Sequence, residues 1–162
     1  MDDGVKIIGT SEQNLVSGNS IFANGHLGID LGGDGVTSND AGDVDIGPNG
    51  LQNFPMLTVA YTWQGEVFVR GNLQGAAGAI YQLEFYMNDT CNASGNGEGQ
   101  TYFSSQSLTV DGNGDGAFTM RVNFNVPSNK FITATATNPS NNTSEFSACI
   151  QAIVPSLLPN HY

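Results

Sequence analysis

Positive charge is scarce in this sequence. Of 162 residues only four are basic, against 15 acidic ones, so the formal net charge is -11. Charged residues make up 12% of the chain, about half of the roughly 25% in an ordinary globular domain. Phosphate binding requires clustered Lys and Arg, so nucleic acid and anionic membrane surfaces are disfavoured as partners. The candidate partners that remain are metal cations, neutral ligands such as glycans, and other proteins.

Long apolar runs and amphipathic helices are absent as well. Because no run approaches the roughly 18 apolar residues that can span a bilayer, we predict no membrane insertion. The first residues, MDDG, form neither the basic nor the apolar region of a signal peptide. We therefore expect either a cytosolic protein or a piece of a longer secreted chain, and we favour the secreted piece.

Residues that commonly carry catalysis are few. The histidines are His26, in a Gly-rich corner, and His161, next to the last residue, where we expect disorder. No Gly-x-Ser-x-Gly motif is present. Three glutamates could act as an acid–base pair only if the fold brought them together, and we expect them to be exposed structural carboxylates: Glu84, Glu98 and Glu145. The sequence therefore predicts a protein that is not an enzyme.

Glycine, asparagine and short apolar clusters dominate residues 1–50. The clusters NLVSGN, SIFANG and LGIDL follow one another closely. Short strands with Asn or Gly at the corners are typical of a right-handed parallel β-helix, in which each coil stacks on the one below. There is room for about two coils where three or more are usually needed, which favours the last coils of a longer solenoid. An irregular β meander fits the same pattern.

Residues 54–153 show longer segments of alternating apolar and polar residues, separated by turn signals. Seven segments have this form: FPMLTVAYT (54–62), GEVFVRGNL (65–73), AIYQLEFYM (79–87), TYFSSQSLTV (101–110), AFTMRVNF (117–124), KFITATATN (130–138) and SEFSACIQAIV (144–154). Seven short strands in about a hundred residues predict an all-β protein with an immunoglobulin-like or fibronectin-III-like antiparallel β-sandwich.

The turn DGNGDG (111–116) matches the start of an EF-hand calcium loop. The match fails at the last position of that loop, where Val122 replaces the bidentate Glu, and no helix flanks it. We therefore expect a hairpin turn without a metal.

The two cysteines are Cys91 and Cys149. An even count in a chain poor in Lys is compatible with one disulfide formed outside the cytoplasm. In the predicted sandwich, Cys91 follows the third strand and Cys149 lies in the seventh, in the same sheet with the sixth strand between them. Two unrelated buried thiols are the alternative. Neither has a further Cys or His at ligand spacing, so a cysteine metal site is not expected.

An acidic stretch, DLGGDGVTSNDAGDVD, occupies residues 30–45 and contains no basic residue. Its possible oxygen ligands are Asp30, Asp34, Asn39, Asp40, Asp43 and Asp45. Calcium takes six to eight oxygens in a flexible geometry, and glycines between them permit tight turns that expose carbonyls. A bound calcium ion would also remove the repulsion among the carboxylates. The alternative is a solvated acidic loop whose Asp and Asn serve only its turns.

At this point a family resemblance appears. The stretch GNSIFANGHLGIDLGGDGVTSNDAGDVDIGPNGLQNFPMLT, with GEGQT (97–101) and ITATATNPSNNTSEFSAC (132–149), resembles the C-terminal junction of large secreted, adhesin-like bacterial surface proteins. The resemblance covers about residues 14–150 and implies terminal β-helix coils, an acidic Gly-Asp linker and an Ig-like sandwich. The corresponding divisions are 1–31, 32–53, 54–154 and a tail, 155–162. It implies a secreted or cell-surface origin, but supplies neither a catalytic residue nor calcium.

These observations favour a non-catalytic, calcium-stabilised structural or adhesion module of a secreted or cell-surface bacterial protein. Its expected partners are the rest of the parent protein and, as further candidates, a glycan or a host- or cell-surface protein. The alternative is a carbohydrate-binding accessory module of a secreted polysaccharide-degrading enzyme. That function requires a platform of exposed aromatics on a sheet face, for which the candidates are Tyr61, Trp63, Tyr81, Tyr86 and Tyr102.

Overall fold

Strands carry most of the regular structure in residues 2–155, the part of the chain described by this computed structural model. The elements in chain order are β1 (Val5–Ile7), β2 (Ile29–Leu31), a 3-10 helix (Pro48–Leu51), β3 (Met56–Trp63), β4 (Glu66–Gln74), β5 (Ile80–Asn88), β6 (Thr101–Thr109), β7 (Asp115–Val122), β8 (Phe131–Thr137) and β9 (Ile150–Gln151). The predicted all-β class is confirmed. Within these residues no helix has the length and apolarity needed to cross a membrane. His161 and nearly all of the predicted tail lie outside the described residues.

Seven of the strands form two antiparallel sheets, with the orders β3-β4-β7 and β6-β5-β8-β9. One hydrophobic core joins them, with Val69 and Met120 from the first sheet packed among Leu83 and Ala134 from the second. This arrangement is compatible with a β-sandwich. The alternation read from the sequence explains it, because residues two apart on a strand share a face.

The remaining two strands, β1 and β2, pair in parallel, with Val5 opposite Ile29 and Ile7 opposite Leu31. Together with Tyr86 and Phe146 their apolar side chains form a second cluster. This cluster lies on the outer face of the four-stranded sheet, because Tyr86 belongs to the face of β5 opposite its core residues. The N-terminal third of the chain therefore packs directly on that sheet.

Both faces of β8 are buried. Ile132, Ala134 and Ala136 face the core between the sheets, as the alternation predicts. The alternate threonines of the same strand are also buried: Thr133, Thr135 and Thr137. Thr133 Oγ1 donates to Glu98 O (2.6 Å), so the loop between β5 and β6 covers part of this polar face.

The turn at residues 111–116 is not the hairpin that the sequence predicts. It leads from β6, in the four-stranded sheet, to β7, in the three-stranded sheet. The Asp111 carboxylate accepts hydrogen bonds from the backbone N–H groups of Asn113 (2.7 Å) and Asp115 (3.0 Å). The residues therefore make an Asx-type turn, as their chemistry favours, but one that crosses between sheets.

The predicted seventh strand, 144–154, is reduced to the two residues of β9. Upstream of β9 the chain still follows β8, but serine hydroxyls replace backbone carbonyls as acceptors. Ser144 Oγ accepts from Ala136 N (3.0 Å), and Ser147 Oγ accepts from Ala134 N (3.0 Å). A ladder made partly by side chains does not continue as a regular strand.

Candidate metal centre

Three aspartates of the acidic stretch converge on one point. Asp40, Asp43 and Asp45 each offer a carboxylate oxygen, and these oxygens lie within 4.8 Å of one another. The three side chains are half-buried. Carboxylate oxygens at this spacing match the donor type that calcium prefers.

The loop that carries them is held from the side by Asn53, which is buried. Asn53 Oδ1 accepts from Asp40 N (2.9 Å), and its Nδ2 donates to Asp40 O (2.8 Å) and to Gln74 O (3.0 Å). Asp43 Oδ1 accepts in turn from Asn53 N (2.8 Å). These hydrogen bonds anchor the loop to β4 and fix the backbone that carries the carboxylates.

Two carboxylate oxygens in this cluster lack a partner. Asp40 Oδ1 and Asp45 Oδ1 are shielded from solvent and accept no hydrogen bond from the described residues, and Gln52 Oε1, nearby in sequence, shares this state. An unsatisfied buried polar group costs about 1–3 kcal/mol, and more if it is charged. A bound cation would satisfy both carboxylate oxygens.

The electrostatics also favour a cation. Burial, reinforced by the charges of Asp40 and Asp45, raises the pKa of Asp43 to about 6, although the Asn53 amide opposes the shift. Burial, followed by the charge of Asp40, likewise raises the pKa of Asp45. In the described part of the chain, no Lys or Arg forms an ion pair with any of the three. Within residues 2–155, therefore, no basic side chain balances the repulsion among the three carboxylates.

The other predicted ligands lie elsewhere or serve other roles. Asp30 belongs to β2, and its carboxylate accepts from Gly33 N (2.8 Å) and Gly35 N (3.3 Å). Asp34 is exposed and outside the cluster. Asn39 binds the backbone of Phe54 in both directions, at 2.8 and 3.0 Å. The structure thus brings together three of the six residues.

A second acidic group, Asp2 and Asp3 beside His26, has similar spacing. Here Lys6 already supplies the positive charge, with its Nζ 2.8 Å from Asp3 and 3.5 Å from Asp2. The hydrogen bond from Lys6 holds the pKa of Asp3 below its usual value. Unlike the cluster of Asp40, Asp43 and Asp45, this group therefore already has a basic side chain beside its carboxylates.

Sequence reasoning placed three glutamates on the surface, and for two of them this is wrong. Glu84 is 7% exposed and Glu145 is 2% exposed, while Glu98 is half-buried. All three accept hydrogen bonds from residues 17–37, which we call the N-terminal segment and which pack on the four-stranded sheet. Their donors are Ser17 and Gly18 for Glu84, Ala23 and Asn24 for Glu98, and Leu31 and Thr37 for Glu145.

These carboxylates satisfy backbone N–H groups that an irregular segment would otherwise leave unpaired. No local pattern marks them, because their partners lie far away in sequence. The alternation in AIYQLEFYM (79–87) places Glu84 and Tyr86 on one face of the strand, which predicts a shared environment but not that another segment covers it.

Glu145 makes the stability depend on pH. Burial raises its pKa to about 7, although the amides of Leu31 and Thr37 oppose the shift. The folded state therefore holds a proton that the unfolded state releases at the usual glutamate pKa of 4.5. The stability from this proton is present at low pH and is lost as the pH rises through 7.

We expect the free energy of unfolding to fall by about 1.4 kcal/mol between pH 6 and pH 8 because of Glu145. Urea titrations of Glu145→Gln should show that much less decrease over the same interval. The exposed Glu12→Gln variant is the control and should keep the wild-type slope. Equal slopes for wild type and Glu145→Gln would contradict the assignment.

Cys91 and Cys149 form a disulfide, as the sequence favoured, with their Cα atoms 6.0 Å apart. They link the loop after β5 to the residue just before β9, and β8 lies between those strands as expected. Cys149 itself lies outside β9, which is a correction to its predicted place in a strand. Its N–H donates to Gly95 O (3.0 Å), so the bond closes onto the same loop.

The candidate aromatic platform does not assemble. Tyr81 and Tyr86 are buried, and Tyr61 is half-buried. Trp63 and Tyr102 are exposed, but they lie on β3 and β6, in different sheets. No single face presents the five rings.

Comparisons with known proteins add little. No protein-family model matches the chain, and no curated protein matches it. Among solved structures, it is similar to the CARDB domain of the PF1109 protein from Pyrococcus furiosus, determined in complex with di-metal ions, with 15% identity and a TM-score of 0.33. The match covers 63% of this chain and 96% of that chain. A similarity this low carries no argument about function.

Proposed function

We propose that this chain is a non-catalytic, calcium-stabilised structural or adhesion module of a secreted or cell-surface bacterial protein. The observation that carries the proposal is the convergence of Asp40, Asp43 and Asp45, two of whose buried carboxylate oxygens have no hydrogen-bond partner in residues 2–155. Calcium would fill that site, with further oxygens from water or backbone completing its coordination. It would hold the acidic stretch against β4.

The module joins two parts in this proposal: terminal coils of a parallel β-helix (1–31) and an Ig-like sandwich (54–154), with the acidic linker (32–53) between them. The parallel pairing of β1 with β2 supports the coils. Glu145 accepts the N–H of Leu31 at 2.9 Å, so a sandwich carboxylate covers part of the edge of β2. The rest of the parent protein is then the first partner.

Secretion is supported by the disulfide, because disulfides persist mainly in oxidising compartments. The strongly acidic composition favours neutral or cationic partners at a cell surface over nucleic acid. Both observations agree with an extracellular module.

Calcium in excess is expected to raise the melting temperature relative to EDTA. At a hundred times the dissociation constant the gain is about 2.7 kcal/mol, or roughly 5 to 10 °C for a chain of this size. Thermal melts by circular dichroism in millimolar calcium and in EDTA measure it directly. Elemental analysis of the same sample shows whether an ion survived the chelator.

Asp45→Asn is the sharpest variant, because the Asp45 carboxylate oxygen Oδ1 has no partner to lose among the described residues. It should lower the melting temperature in calcium and leave it unchanged or slightly raised in EDTA, where repulsion is relieved. Asp34→Asn, in the same stretch but outside the cluster, is the matched control and should respond to calcium like wild type. A metal-free wild type with no calcium shift would reject the proposal.

A further inference from the structure

A groove lies at one end of the three-stranded sheet, between the β3–β4 turn and the segment after β7. Its volume is about 270 Å³. Its lining includes Trp63, Gln64, Asn125, Pro127, Ser128 and Val154. None of the lining side chains is charged, although the chain as a whole carries -11.

Trp63 forms one wall and is held in place by the strand pairing. It is 37% exposed at the end of β3, opposite Glu66 on β4. The connecting residues Gln64 (φ 52°) and Gly65 (φ 82°) both adopt left-handed backbone conformations, as the tight two-residue turn of a twisted hairpin requires. The preceding residue, Thr62, donates its N–H to Ile153 O (2.9 Å). The indole is therefore presented on a fixed backbone.

The opposite wall is equally anchored. Val126 is fully buried in the core between the sheets, which fixes the residues on either side of it. Pro127 O accepts from Lys130 N (3.0 Å), closing the turn that follows. Pro127 also restricts the backbone by its ring. The groove is thus formed before any ligand arrives.

The polar groups of the groove are uncommitted. No side-chain hydrogen bond within residues 2–155 involves Gln64, Asn125 or Ser128. By contrast, the Asn49 side chain makes bonds to Asn14 and to Thr143 O. The amides and hydroxyl of the groove have donors and acceptors free for a ligand.

We propose that this groove binds a neutral saccharide. The exposed face of the indole would stack on the apolar C–H face of a pyranose ring, with Pro127 and Val154 adding apolar contact. The two amides and the hydroxyl would bind ring hydroxyls. Uncharged lining matches an uncharged ligand, and the acidic surface of the protein disfavours an anionic one. The site is separate from the calcium cluster and does not depend on it.

The neighbouring aromatics do not extend the site. Tyr61 stacks on Phe68 with ring centroids 4.7 Å apart, and the Arg121 guanidinium lies 4.9 Å from the Phe68 centroid. Glu66 holds that guanidinium by two acceptor oxygens. The Phe68 ring and the Tyr61 face against it are therefore already in contact with protein, and Trp63 is the aromatic side chain in the lining of the groove.

Trp63 is the single tryptophan of the chain, so its fluorescence reports on the site without a label. The probes are cellohexaose, xylohexaose and mannohexaose as neutral oligosaccharides, and polygalacturonate as the anionic comparison. We expect a saturable shift of the emission with at least one neutral probe. In gels containing the matching polysaccharide, wild type should be retarded, and Trp63→Ala should not. Asn125→Ala should weaken binding about tenfold, the effect of one lost hydrogen bond.

Tyr102→Ala removes another exposed ring, on β6, and should leave retardation unchanged. Three results would each overturn the proposal. The first is emission that stays constant with all three neutral probes, and the second is retardation of Trp63→Ala equal to that of wild type. The third is tighter binding of polygalacturonate than of any neutral probe. All measurements are repeated in calcium and in EDTA. Saccharide binding that persists in EDTA separates this site from the calcium proposal, which the melts test by themselves.

Discussion

Replacing Glu84 with alanine is expected to lower the free energy of unfolding by about 3 to 5 kcal/mol. Its carboxylate accepts from Ser17 Oγ (2.5 Å), Gly18 N (2.9 Å) and the Tyr86 hydroxyl (2.6 Å). Two of these donors belong to the N-terminal segment and one to β5. A single buried side chain therefore fastens the segment to the outer face of the four-stranded sheet.

Tyr86 accounts for much of the stability that we expect Glu84→Ala to lose. Ser17 and Gly18 are exposed and can turn to water when the carboxylate is removed. The Tyr86 ring is buried edge-on against Phe146, with centroids 5.3 Å apart, so its hydroxyl would stay enclosed without an acceptor. Burial, together with the hydrogen bond to Glu84, raises the pKa of Tyr86, so this hydroxyl remains protonated and must donate.

Urea unfolding of Glu84→Ala beside Glu12→Ala tests this expectation. Glu12 is exposed, and its loss should change the free energy by less than about 0.5 kcal/mol. Native-state hydrogen exchange provides a second measurement: the Gly18 amide should lose protection in Glu84→Ala, while amides of β4 and β7 keep theirs at matched stability. If both variants unfolded at the same urea concentration, Glu84 would not be an anchor.

The strands of the two sheets could be predicted because each carries its own signal. In β4 and β7 the buried residues fall at alternate positions, with Val67 and Val69 on one strand and Phe118 and Met120 on the other. That period of two requires no knowledge of the rest of the chain. The connection between β6 and β7 was predicted wrongly, because an Asx turn has the same sequence whether it joins neighbours or crosses between sheets.

The covered outer face could not be predicted from the same pattern. Alternating Thr and Ala in β8 predicts one exposed face and one buried face, but the threonine face is buried as well. Thr133 Oγ1 donates to Glu98 O (2.6 Å), and Thr137 Oγ1 shares a hydrogen bond with Thr143 Oγ1 (3.0 Å). Glu145 illustrates the same limit, since its donors, Leu31 and Thr37, precede it by 114 and 108 positions. Contacts of that range leave no local signature.

The sequence predicts the ligand chemistry of the acidic site, but it does not predict which carboxylates come together there. The density of Asp in residues 30–45 indicates oxygen ligands wherever the chain bends. Which carboxylates meet is decided by Asn53 and Gln74, which hold the loop from outside the acidic stretch. Asp30 is drawn away because it belongs to β2.

The disulfide is expected to contribute about 4 kcal/mol, since closing a long loop restricts the unfolded chain. The bond spans 58 residues and encloses β6, β7 and β8. It also holds the loop that carries Glu98, whose carboxylate accepts from Ala23 N and Asn24 N at 2.9 Å each. Loss of the bond should therefore loosen the N-terminal segment as well as the sheet.

The Cys91→Ser/Cys149→Ser double variant tests both effects. Its urea midpoint should fall, and exchange at the Ala23 and Asn24 amides should rise more than exchange at Gly18, which Glu84 holds independently. Wild type in dithiothreitol should unfold like the double variant, and dithiothreitol should leave the double variant unchanged. Wild type that is equally stable with and without the reductant, once thiol titration shows both cysteines free, would mean that the contacts of β8 and β9 hold this loop without the covalent bond.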